Sequence, residues 1–125
     1  MNLILAVAAG GAIGAVLRLV VGRGMFYLMG SEFPWGTLVV NILGSFLVGL
    51  FVEILSLRCS LSHEWQGFII IGVFGGFTTF SAFSLEVSFM IEKGDFSTAA
   101  LYGLVSMFIG VLALFIGLFA GRALV

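Results

Sequence analysis

Asn41 is the residue whose chemistry most needs explaining. It is an amide in the middle of a long apolar run. Its NH2 can donate twice and its carbonyl can accept, so on residue type alone it suits an anion or a cation. Every fourth residue around it is polar or small: Thr37, Asn41, Ser45, Gly49 and Glu53. On a helix these share roughly one face. Thr98, Tyr102, Ser106 and Gly110 form a second such stripe. Polar groups at membrane depth are costly unless they face protein or water. A single Ser or Thr is readily explained as an interhelical hydrogen bond. Two stripes in register on two helices point instead to a lined pathway.

A second cluster is Gly75 to Ser84, "GGFTTFSAFS". Gly72, Gly75 and Gly76 weaken a helix there. A break would free backbone carbonyls and amides that lipid cannot satisfy, and the hydroxyls that follow can satisfy some of them. Broken helices at the midplane are a recurrent way to build ion sites. Phe74, Phe77, Phe80 and Phe83 recur every third residue. They are either plain packing residues or rings whose partly positive edges receive an anion without trapping it. Faces turned inward would instead suit a cation. Arg18 lies late in the first apolar run, where it either snorkels to the interface or attracts anions. Glu53 and Glu86 fall near span ends, as snorkelling acids or as a proton or cation relay. His63 has no second ligand nearby and is assigned no chemistry, and the lone Cys59 reads as an incidental loop cysteine.

The elements that must hold these groups are membrane helices. The 125-residue chain is 62% hydrophobic and 9% charged, with mean hydropathy +1.30. Soluble domains carry about 25% charged residues. The net charge of −1 and the absence of a basic patch give no sign of nucleic acid. A span needs about 20 apolar residues. Four fit, at roughly 3–22, 35–56, 66–91 and 97–121, as one transmembrane domain over 1–125. The runs are long and do not alternate, which favours helices over a barrel. Pro34 suits the first turn of the second helix. Ser62 suits the cap of the third span, and Asp95 or Ser97 that of the fourth. Trp35, Trp65 and Tyr27 fall near the interfaces. The first span lacks the basic leader of a signal peptide.

Four spans place both termini on one side. With Arg18 left out because it lies within the first span, Arg58 and Arg122 face Arg23 and Lys93, two against two, so the positive-inside rule selects no orientation. That balance admits dual topology, in which the chain inserts both ways and pairs antiparallel. The small-residue series Ala6, Gly10, Gly14 permits close packing in lipid, and a homodimer is the natural inference.

With "GGAIGAVLR" in the first span, "WGTLVVNILGSFLVG" in the second and "GFTTFSAFSLE" in the third, the chain resembles the Fluc-type (CrcB-type) fluoride channel family over essentially its whole length. The resemblance implies an all-α membrane protein, four helices per subunit with a break in the third, in an antiparallel dual-topology homodimer. It implies two fluoride pathways and a structural Na+ at the dimer interface. It places Asn41, Phe80, Phe83, Thr37, Tyr102, Ser106 and Glu86 along the fluoride pathway. Gly75 and Thr78 would offer backbone carbonyls to Na+, and Arg18 would serve a vestibule or support the break. Gly110 departs from the hydroxyl found in some relatives. The implied activity is passive export of toxic fluoride across the inner (plasma) membrane by a multi-pass channel that is not an enzyme. A small proton-coupled exporter of organic cations is disfavoured, because the first span carries no acid. A non-transporting membrane scaffold would use the polar stripes for packing alone.

Overall fold

A computed structural model of the chain describes residues 2–58 and 60–125. The expectation for Cys59 lies outside them. Helix α1 spans Leu3–Met29 and α2 spans Trp35–Leu57. The third span begins as α3, His63–Gln66, and continues as a π-helical segment, Gly67–Phe74. It then forms α4, Gly75–Phe77, and α5, Ser81–Glu92. Helix α6 spans Phe96–Leu124. Four helical stretches are thus long and apolar enough to cross a membrane.

Helix α1 runs a full two turns past the expected end at residue 22. Arg23 does not stop it, because nothing in "RGMFYLM" removes a backbone donor or forces a turn. The stop is Gly30, at φ +83°, a backbone conformation that side chains disfavour. Pro34 sits one residue before α2 rather than inside its first turn. Ser62 accepts from Trp65 N at 3.4 Å and Asp95 from Thr98 N at 3.2 Å, capping α3 and α6.

Helix α2 packs most extensively on α6, and α1 on the π-helical segment and α4. The third span therefore lies on α1 in its first half, while α5 reaches α6 in its second. Helices α2 and α6 run parallel. Arg122 Nε donates to Glu53 Oε1 at 2.8 Å near the end of both, and Arg58 donates to the Val125 carbonyl oxygen. Glu53 is thus an ion-pair partner, not a free relay.

The Ala6–Gly10–Gly14 stripe is used inside the chain. A Cβ on Gly10 would collide with Phe68 O, and one on Gly14 with Val73 O. From the other side, a Cβ on Gly76 would lie 2.7 Å from Gly11 O. The two backbones meet without intervening side chains, so this stripe does not supply the homodimer contact inferred from sequence. Gly14→Ala is expected to destabilise the fold by about 1–3 kcal/mol through overpacking. Gly11→Ala, with open space around its Cβ, should be near neutral. Thermal unfolding in detergent reads the difference, and equal melting temperatures for the two variants would refute the close-approach account.

Outside the spans, contacts from Thr98, its hydroxyl first and its backbone N–H second, hold the Asp95 carboxyl below its ordinary range. A lowered folded value means stabilisation that is present above the unfolded carboxylate pKa, about 3.9, and lost as pH falls through the folded value. Acid should therefore destabilise the wild type more than Asp95→Asn, which keeps a capping oxygen without the titration. Parallel melting curves for both proteins against pH would contradict this.

Candidate functional site

The α2 and α6 stripes face one another because the two helices are parallel and closely seamed. Thr37 and Tyr102 converge on Glu86 of α5. Thr37 Oγ1 donates to Glu86 Oε2 at 2.8 Å, and the Tyr102 hydroxyl donates to Oε1 at 3.1 Å. Tyr102 is fully buried, with its ring 5.2 Å edge-on from Phe33 and 5.0 Å from Phe83. The Glu86 carboxylate is therefore held by two hydroxyls and does not reach out freely to solvent.

Asn41, one turn further along α2, meets the third span where its helical geometry stops at Phe77 and resumes at Ser81. Thr78 is extended there, with ψ 159°. Asn41 Nδ2 donates to Thr79 O at 2.9 Å, and Thr79 N donates to Asn41 Oδ1 at 2.7 Å. One side-chain amide thus pairs with both backbone groups of a buried residue. One Asn41 N–H remains uncommitted. The Thr79 hydroxyl accepts from Ala82 N at 3.1 Å, and Thr78 Oγ1 donates to Phe74 O at 3.2 Å. The Thr79 hydroxyl serves a backbone N–H at the start of α5, whereas the Phe74 carbonyl that takes the Thr78 hydroxyl already accepts from Thr78 N at 3.1 Å. Gly72, Gly75 and Gly76, expected to weaken the helix, are themselves helical, and the non-helical interval begins at Thr78. Two of them, Gly72 and Gly76, are required by the approach of α1. Among the described residues, the carbonyls of Gly75 and Thr78 accept no hydrogen bond.

A groove of about 330 Å³ collects Asn41, Ser45, Thr78, Phe80, Phe83 and Ser106. Phe80 is 78% exposed and its ring centroid lies 5.7 Å from that of Phe83. The Ser106 hydroxyl is buried and has no hydrogen-bond partner. Beyond Phe83, the Thr37–Glu86–Tyr102 cluster stands at one end of the same line. Its acid and Thr37 also border a separate cavity of about 360 Å³ that reaches Lys93. Arg18 lies elsewhere, in a cavity of about 570 Å³ between α1, α2 and α5, with Arg23, Thr37 and Thr79. Its buried Nε has no partner, and it makes no hydrogen bond to the Thr78–Phe80 interval. Within the chain, then, Arg18 does not brace that interval by hydrogen bonding. No cluster of His, Cys, Asp and Glu that could hold a metal occurs among the described residues.

The Asn41–Thr79 pairing is the feature that residue spacing did not reveal. A mid-span amide signals a need for partners but does not say whether those partners are an ion or a backbone.

Comparison with known proteins bears on the whole chain at once. The family described as "CrcB-like protein, Camphor Resistance (CrcB)" matches residues 5–118. The chain belongs to this family. Its CrcB-like relatives are similar over nearly their full lengths. A protein of Agrobacterium fabrum named "Fluoride-specific ion channel FluC" is 50% identical over 118 residues, 94% of each chain. One of the same name from Rhizobium meliloti is 47% identical over 125 residues, 100% of each chain. "Fluoride-specific ion channel FluC 1" of Nitrobacter hamburgensis is 46% identical over 121 residues, 97% of this chain and 96% of the relative. This CrcB-like chain is accordingly a multi-pass membrane protein.

Proposed function

We propose that the chain is the subunit of a fluoride-selective channel, not an enzyme, which lets toxic fluoride leave the cytoplasm passively across the inner membrane. What carries the reading is the groove of polar groups and phenylalanines between α2, α6 and the third span, joined through the Phe83–Tyr102 contact to the Thr37–Glu86–Tyr102 cluster, in a chain whose near-full-length relatives bear that name. Fluoride is small and strongly hydrated, so its dehydration must be offset by well-aimed donors. The uncommitted N–H of Asn41 and the unpartnered Ser106 hydroxyl are such donors, on two residues that line the groove. Phe80 and Phe83 follow, and their ring edges attract an anion weakly enough to release it. At the far end, anion and Glu86 carboxylate compete for the same two hydroxyls, Thr37 and Tyr102. Arg18 and Arg23, with no acid lining their cavity, raise the local anion concentration.

The unit we propose is an antiparallel homodimer of dual topology with two pathways. The even charge count supports it, and so does the exposure of Phe80 and Gly75, which a second copy would cover. The residues present fit a structural Na+ between the copies. The carbonyls of Gly75 and Thr78 are hard oxygen donors left without hydrogen bonds beside the interval we read as the break. Such an ion would supply positive charge and tie the two third spans together.

Liposomes loaded in parallel with potassium fluoride or potassium chloride, with a potassium ionophore to dissipate voltage, test the reading. Fast fluoride release with chloride retained is the expected result. No fluoride release from folded, reconstituted protein would return the polar stripes to helix packing.

A further inference from the structure

We infer that Ser45 supplies an additional anion-contacting hydroxyl, in a notch opened by Gly110 on the facing helix; this rests on the reading of the groove as an anion pathway. Ser45 stands one turn beyond Asn41 and lines the same groove as Phe80, Phe83 and Ser106. A serine in an apolar helix ordinarily turns its hydroxyl back onto the carbonyl four residues earlier. Ser88 does so, donating to Ser84 O at 2.9 Å, and Thr78 does so to Phe74 O at 3.2 Å. Ser45 does not. Its hydroxyl has no hydrogen-bond partner among the described residues.

Gly110 explains what lies in front of it. The other glycines on this seam are there because the backbones touch. A Cβ on Gly117 would strike Phe46 O, one on Gly49 would strike Leu114 O, and one on Gly121 would sit 2.8 Å from the Glu53 Cβ. At Gly110 packing makes no such demand. A Cβ there would meet only Ser45 Oγ, at 4.0 Å. The missing side chain therefore leaves space beside an unpartnered hydroxyl, one helical turn past Ser106, whose hydroxyl also lacks a partner. The hydroxyls along α6 stop at Ser106, and α2 provides the next one. A hydroxyl hydrogen rotates freely toward an arriving anion. Being neutral, it binds weakly enough not to halt conduction.

The test compares wild type, Ser45→Ala, Gly110→Ser and the double variant in the fluoride and chloride release assay. Stability is followed by thermal unfolding in detergent. Ser45→Ala should slow fluoride release about tenfold, the worth of one hydrogen bond to an ion. Its melting temperature should not change, because no intramolecular bond is lost. Gly110→Ser should restore most of the rate in the Ser45→Ala background, since the new hydroxyl occupies the same notch. A purely structural role for Ser45 would show no such rescue. Wild-type rates for folded Ser45→Ala, or a double variant as slow as Ser45→Ala, would overturn the inference while leaving the channel reading intact. Absence of fluoride release from the wild type would overturn both.

Discussion

Asn41→Ala is expected to lower both stability and fluoride release. The substitution strips Thr79 of both partners at once. Thr79 is buried, and the extended backbone before it offers no helical replacement. An unsatisfied buried N–H or C=O costs about 1–3 kcal/mol, so losing the pair is a large change for a small membrane protein. Asn41→Asp separates the two bonds. It keeps an acceptor for Thr79 N–H but sets an oxygen against Thr79 O, and it should unfold no later than Asn41→Ala if repulsion dominates. Thermal unfolding in detergent checks the order. A melting temperature unchanged in Asn41→Ala would show that the amide does not hold the third span. The dual role also means that loss of flux in this variant does not by itself identify an ion contact.

The phenylalanines give a cleaner test of the pathway. Phe80→Ile keeps apolar bulk and removes the ring edge. At 78% exposed, Phe80 contributes little to the packing of its own chain, so the subunit should fold normally, and size-exclusion chromatography checks that the dimer we propose still forms. Fluoride release should nevertheless fall about two- to tenfold, taking the ring-edge contact to be worth as much as an aromatic pair, about 0.5–1.5 kcal/mol, with every 1.4 kcal/mol a factor of ten. Phe83→Ile should produce a similar or larger loss together with some destabilisation. Its ring rests against Tyr102 at 5.0 Å and Phe80 at 5.7 Å. Release at the wild-type rate from both folded variants would reduce the rings to filler.

The four spans were legible because each contains more than the apolar length a bilayer requires. Their ends were less so. Arg23 looked like the end of a membrane run, yet a helix ends where its backbone must turn, and that is Gly30. The stripes on α2 and α6 were legible as periodicity, and their convergence follows from two parallel helices meeting on their small residues. Local sequence does not encode which carbonyl a donor finds. The Asn41–Thr79 pairing joins residues 38 positions apart and was invisible for that reason. The glycine cluster was read as the weak point of the third span. It turned out to supply part of the flat surface on which α1 lies, while the extended residue is Thr78.

The face that α2 turns toward α6 carries both the hydroxyls of Thr37 and Ser45 and the glycines at which the helices touch, and this limits how the gene can change in length. Each added residue rotates everything downstream by about 100°. An insertion between Asn41 and Ser45 would move Ser45 out of the groove and Gly49 away from Leu114 in a single event. A deletion would do the same in the opposite sense. No one compensating substitution repairs both. Insertions and deletions should therefore collect in the exposed turn at residues 30–32 and stay out of the helix that follows. A library of single-codon insertions, selected for growth in fluoride, would show this as a sharp boundary in tolerance near Trp35.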